Sequence, residues 1–238
     1  MPLMNRVDPF GRIHAVAARG MFTGNRGVIH DPATKTLLRR RWATKTWIVC
    51  DLVHPKGARR EVFGRNAPSG GAGWTELFFL DEATALAAGH RPCFYCRREA
   101  AKRYSDAFAE TFGFVPRATE IDARLHSERP AAGAEPSEMT EAAVRALPDG
   151  AMVAFGSRAF AMRGGALVPW SFAGYGAPPP QCRGLPEPAV LLTPPTTVSV
   201  LRAGYSPAWH SIPTEPSAQS ITTPSRSGIS GPRSSTSR

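Results

Sequence analysis

The sequence predicts an α+β protein, with a zinc-knuckle region containing helices followed by a small β-rich region. Three observations lead there. In the first half, short runs of β-branched and aromatic residues alternate with glycine-rich turns. Helical segments then flank a Cys-x-x-Cys pair, Cys93 and Cys96. After Pro148 the pattern changes to short apolar runs separated by glycine and proline. The expected organisation is a zinc-binding α+β region over residues 1–147, a β-rich region over 148–210 and a disordered tail over 211–238.

Residues 11–30 are broken by Gly20, Gly24 and Gly27 and read as turns rather than one helix. Residues 46–50, Thr-Trp-Ile-Val-Cys, form a strand candidate that ends on Cys50. The stretch 64–73 is a glycine-rich loop, and residues 74–80 form the next short strand. Asp81 is placed to cap a helix over 82–88, because its carboxylate can accept one of the backbone N–H groups that lack an intrahelical partner. Gly89 ends that helix. Residues 98–112 read as a helix with Ala100, Tyr104, Ala107, Phe108 and Thr111 on one side, stopped by Gly113 and Pro116. Helices are also expected over 118–129 and over 137–147, the latter capped by Ser137. Beyond Pro148, strands are expected over 152–155, 159–162, 166–170, 189–192 and 197–201, with Gly164 and Gly165 at a turn. The tail is rich in serine and poor in large apolar residues, so burial cannot offset the entropy of ordering it.

The chain has 238 residues and a formal net charge of +10, which favours polyanionic partners. Residues 1–10 place Asn5, Arg6 and Asp8 where a signal peptide would need an apolar run. No run reaches the roughly 18 apolar residues that span a bilayer. The four cysteines, at 50, 93, 96 and 182, do not make the disulfide framework of a small secreted domain. A cytoplasmic location is the expectation.

The two-residue gap between Cys93 and Cys96 lets both thiolates converge on one metal ion, and Zn2+ is the expected cofactor. A dithiol–disulfide redox pair and two unrelated buried thiols are the alternatives. Cys50 and His54 follow a strand and would complete a Cys3His set if the chain folds back; His90 and Cys182 are other candidates for the fourth position. Asp122 and His126, four residues apart, read as a hydrogen-bonded pair on a helix surface rather than as catalytic groups.

The segment from Ala85 to Cys96, with Ala85, Leu86, Ala87, Ala88, Gly89, His90, Arg91, Pro92 and the two cysteines, resembles the amino-terminal zinc-binding domain of the Ada DNA repair proteins. Those domains carry an alanine-rich helix leading into a Gly-aromatic-Arg-Pro-Cys-x-x-Cys-Arg knuckle, and His90 stands here for the aromatic residue. The likeness covers roughly residues 42–103. It implies an upstream ligand pair matched by Cys50 and His54, and a methyl-accepting role for the first of these, taking the group from a DNA phosphotriester. The second alkyl-transfer centre of full-length Ada, with its Pro-Cys-His-Arg pattern, has no counterpart in this sequence.

Together these readings point to a zinc-supported nucleic-acid-binding protein, associated with DNA damage. Arg39, Arg40, Arg41, Lys45, Arg91, Arg97, Arg98, Lys102 and Arg103 are the candidate phosphate contacts. The alternatives are a methyl-phosphotriester acceptor at Cys50 and a structural zinc module that binds protein.

Overall fold

The computed structural model describes residues 1–53, 55, 57, 61–178 and 188–211. His54, Cys182 and residues 212–238, and with them most of the expected tail, lie outside the described residues.

In chain order the first half runs β1 (Arg6–Val7), β2 (Ile13–His14), β3 (Phe22–Asn25), β4 (His30–Asp31), β5 (Thr36–Leu37), β6 (Ile48–Asp51), β7 (Leu77–Phe79), α1 (Glu82–Ala87), β8 (Arg91–Pro92), α2 (Arg98–Phe112) and α3 (Ala118–Glu128). It continues with a 3₁₀ turn (Pro130–Ala132), β9 (Ser137–Met139), α4 (Glu141–Arg145), β10 (Met152–Phe155), β11 (Arg158–Arg163), β12 (Ala166–Ser171), β13 (Gly174–Tyr175), β14 (Ala189–Leu191) and α5 (Pro195–Arg202). The fold is mixed α+β.

Two six-stranded sheets carry the architecture, in the orders β2-β1-β7-β3-β6-β8 and β13-β12-β11-β10-β14-β9. The second is antiparallel throughout, whereas the first contains two parallel pairs, β1 with β7 and β6 with β8. Alternation along β10 and β11 gives the second sheet two apolar faces. Val153, Phe160 and Met162 meet Tyr104, Phe108, Ile121, Leu125 and Val198 from the helices, while Met152, Ala154, Ala159 and Ala161 meet Leu80, Ala87 and Leu192. One apolar cluster therefore joins residues on both sides of Pro148.

Helix α1 explains its own alanine content. Asp81 caps it by accepting from the Thr84 N–H at 2.9 Å, and all six of its residues are buried. Ala85 packs into the first sheet's cluster, Leu86 into the helical one and Ala87 into the other face of the second sheet. A helix enclosed on every side must be apolar or small except where a polar group is paired, as Glu82 is with Arg97.

Two expectations are corrected. The helix expected over 137–147 is a strand and a short helix: residues 137–139 pair with β14, and Thr140, not Ser137, caps α4 by accepting from Ala143 N–H. The strand expected over 197–201 is helix α5, with Pro195 in its first turn. Its β-branched Thr196, Thr197, Val198 and Val200 favour a strand locally, but packing against α2 and α3 wins, and the Thr197 hydroxyl lies 2.9 Å from Tyr104 Oη. No helix among the described residues is long and apolar enough to cross a membrane.

Candidate metal centre

Parallel pairing of β6 with β8 builds the centre. Ile48 faces Arg91 and Val49 faces Pro92, so continuing the register by one residue brings Cys50 beside Cys93. The Cys93 N–H donates to Val49 O at 3.0 Å and fixes this alignment. The chain then turns back: Arg97 N–H donates to Cys93 O at 2.9 Å, and Tyr95 N–H donates to Cys93 Sγ at 3.4 Å. That turn returns Cys96 to the other two cysteines. The three sulfurs lie within 4.8 Å of one another, with Cys50 and Cys93 buried and Cys96 partly exposed.

The donor set fits a metal ion. Tetrahedral zinc–sulfur bonds of about 2.3 Å place two sulfurs about 3.8 Å apart, a spacing compatible with this cluster. A disulfide would use two of the three thiols and leave the third beside it in the interior. The sulfurs already share protons unevenly. Hydrogen bonds from the Cys50 and Cys96 thiols hold Cys93 far below the ordinary thiol range, and the same contact pushes Cys50 up. Backbone N–H groups of Cys96 and Tyr95 also favour the Cys93 thiolate, whereas at Cys96 the opposing contact with Cys50 is outweighed by the hydrogen bond to Cys93 and by burial, which push it up. Three convergent sulfur donors, one of them held as the thiolate by the other two thiols, are a suitable site for a soft or borderline cation.

Arg97 supplies positive charge next to this anionic cluster. Its guanidinium is bidentate to Glu82 at 2.7 and 3.0 Å, reaches Asp51 at 3.4 Å and lies over the Phe22 ring at 4.2 Å. Burial raises the Asp51 carboxyl pKa, with the charges of Glu82 and Cys93 adding to the effect and Arg97 opposing it. The sequence reading missed Glu82, which looks like an ordinary first-turn acid. It is 2% exposed and also accepts from Tyr205 Oη at 2.6 Å and Ala208 N–H at 2.9 Å.

The other candidates sort by exposure. His90 is fully buried, with Trp47 at 5.2 Å and Phe79 at 4.6 Å between ring centroids, and it accepts from Arg26 Nε at 3.3 Å. It fills an aromatic's place and is not among the clustered donors. Of the candidate phosphate contacts, Arg91 and Arg97 are engaged by carboxylates, Arg97 by Glu82 and Arg91 by Asp122, the latter bidentate at 2.8 Å through each nitrogen. Asp122 in turn is buried and accepts from Thr46 Oγ1, so it does not pair with His126, whose ring meets Trp42 at 4.8 Å. Arg39, Arg40, Arg41 and Lys45 are exposed before β6, and Arg98, Lys102 and Arg103 are exposed on α2.

No protein family, curated protein or solved structure matches the chain. The chemistry of the site rests on its own geometry, and that geometry is a cluster of three cysteines able to coordinate a metal ion.

Proposed function

We propose that the protein binds zinc through Cys50, Cys93 and Cys96 and that this centre supports a nucleic-acid-binding surface. The observation that carries the proposal is the convergence of three sulfurs from two distant segments within 4.8 Å. Three thiolates select a soft or borderline cation, and zinc is the common redox-inert one. His54, outside the described residues, is the fourth donor that the resemblance to Ada suggests. The exposed run Arg39, Arg40, Arg41 and Lys45, with the half-exposed ring of Trp42 inside it, supports phosphate contact joined to base stacking.

Cys50 holds the scaffold in this reading. Methyl transfer would form an S–C bond at Cys50 as the methyl O–C bond breaks and a phosphodiester leaves, and the sulfur must then be open to in-line approach. Cys50 is only 5% exposed, which speaks against that use.

One set of measurements tests both parts. Purified full-length chain should carry one zinc per molecule, and the Cys93→Ser/Cys96→Ser double variant should carry none. Binding to single- and double-stranded DNA should weaken steeply with salt and with Arg39→Ala/Arg40→Ala. A folded chain without zinc affinity would sink the metal centre. Zinc without salt-dependent DNA binding would sink the nucleic-acid part, and a methyl adduct mapped to Cys50 after incubation with methyl-phosphotriester DNA would overturn the scaffold role.

A further inference from the structure

A cavity of about 550 Å³ lies away from the cysteines, bounded by the β1–β2 turn, the end of α1, the 3₁₀ turn and strands β10 and β14. Among the described residues four arginines line it, Arg12, Arg26, Arg41 and Arg129, and no aspartate or glutamate does. Two of the four are interior residues, Arg26 at 0% and Arg129 at 1% exposure.

Their hydrogen bonding is incomplete in the same way. Arg26 donates through Nε to His90 Nε2 at 3.3 Å and through Nη1 to Gly11 O at 2.9 Å. Arg129 donates through Nε to Gly89 O at 2.7 Å and through Nη1 to Lys45 O at 2.8 Å. In both side chains Nη2 is buried and has no hydrogen-bond partner among the described residues. Both guanidinium groups also lie over the ring of Trp47, at 3.9 and 4.5 Å from its centroid. Neutral acceptors and a ring orient both cations, and the carboxylates nearest in effect, Asp8 for Arg26 and Asp122 for Arg129, act on them through space rather than in direct contact.

The neighbouring carboxylates are engaged elsewhere. Asp8 accepts from His14 Nε2 and from Arg12 N–H, each at 2.8 Å, and Asp122 holds Arg91. Burial, and then repulsion from Arg129, lower the Arg26 pKa to about 9, which still leaves it charged at neutral pH. Two like charges kept in an interior and offset only in part, by Asp8 and Asp122 acting through space, are unfavourable, and an anion that joins them relieves the cost.

We infer that the cavity binds a small organic phosphate, its phosphoryl group neutralised by Arg26 and Arg129 and its body held by apolar wall residues such as Phe10, Ile13 and Val190. A phosphomonoester supplies two negative charges and three acceptor oxygens, which matches two interior cations with a free donor each better than a single carboxylate does. The volume exceeds that of inorganic phosphate, and the apolar walls call for a body attached to the anion. The exposed Arg41 stands at the rim and draws the anion in. This inference is independent of the zinc centre.

The test is calorimetric titration of the zinc-loaded full chain with phenyl phosphate, inorganic phosphate and benzoate. One saturable site for phenyl phosphate is expected, with weaker binding of the other two. Arg26→Met and Arg129→Met should each lower affinity by at least about tenfold, as loss of a charge-assisted hydrogen bond does. Because these positions are interior, the exposed Arg41→Glu provides a variant that leaves the core intact; it should weaken binding by at least about threefold, mainly through the association rate. Absence of saturable phenyl phosphate binding at millimolar concentration, benzoate binding as tightly as phenyl phosphate, or unchanged affinity in Arg41→Glu would overturn the assignment.

Discussion

Two groups of buried arginines, one near the cysteines and one around the cavity, are treated in opposite ways. Arg91 and Arg97 each meet a carboxylate in bidentate geometry, Asp122 and Glu82 respectively, and tie β8 and the knuckle to α3 and α1. Arg26 and Arg129 meet carbonyls, an imidazole and the Trp47 ring, and each keeps an unpartnered nitrogen. A neutralised buried cation is a structural element, complete within the chain. A cation oriented by neutral groups holds position and keeps its electrostatic demand, which is what a ligand site requires. The sequence presents all four as arginine; the difference lies in which side chain the fold brings alongside.

The contrast predicts unequal responses to single substitutions. The largest is at Asp122. Its removal in Asp122→Ala leaves Arg91 charged and enclosed, and breaking a buried pair in this way costs about 3–5 kcal/mol. Urea unfolding of the variant should show that loss, and a loss below about 1 kcal/mol would mean that Arg91 is hydrated rather than sealed.

Zinc removal comes next. If the centre joins β6 to the knuckle as proposed, chelation should lower stability by about 2.7 kcal/mol when the wild type is measured with free zinc a hundredfold above its dissociation constant. The shift should vanish in the Cys93→Ser/Cys96→Ser variant. A shift that persists there would place the responsible metal elsewhere in the chain.

A smaller effect is expected at Arg26. Arg26→Met removes a charge that no carboxylate contacts directly, Asp8 acting on it only through space, and replaces it with an apolar chain of similar length, so the lost hydrogen bonds and the relieved desolvation should offset to within about 1 kcal/mol. The same variant loses phenyl phosphate binding. Stability at Asp122 and ligand affinity at Arg26 thus report the two kinds of arginine separately, and a severe stability loss at Arg26 would erase the distinction.

Much of the centre was legible because its information is local. Pro92-Cys93-x-x-Cys96 forms its turn within a few residues, Asp81 caps the helix three residues on, and Gly113 ends α2 in the left-handed conformation at φ 77°. Cys50 required one further step, that a strand-end thiol is carried to the knuckle, and the parallel register supplies it. The cavity was not legible. Arg26, His90 and Arg129 lie on three separated segments, and nothing near Arg26 in sequence shows that its hydrogen-bond partners in space are a carbonyl and an imidazole rather than a carboxylate. Helix α5 was misread for a related reason: its β-branched residues give a correct local preference that contact with α2 overrides.

The smallest effect, and the finest probe of the unneutralised region, is the titration of His126. Burial lowers its pKa below the ordinary 6.5, and the charges of Arg129 and Lys45 lower it further. Arg129 Nη1 lies 3.5 Å from its Nδ1. For a base whose folded pKa is depressed, the unfolded chain binds the proton first as pH falls. The stability contributed by neutral His126 is therefore complete above about pH 6.5 and is lost as pH falls through the folded value. Proton NMR of the ring should show a midpoint below 6.5, and His126→Gln should remove the corresponding slope in stability against pH. Saturating phenyl phosphate should raise the midpoint, because an anion on Arg129 cancels part of the repulsion that depressed it. A midpoint unmoved by bound phenyl phosphate would detach the ligand from Arg129, even where calorimetry finds a site.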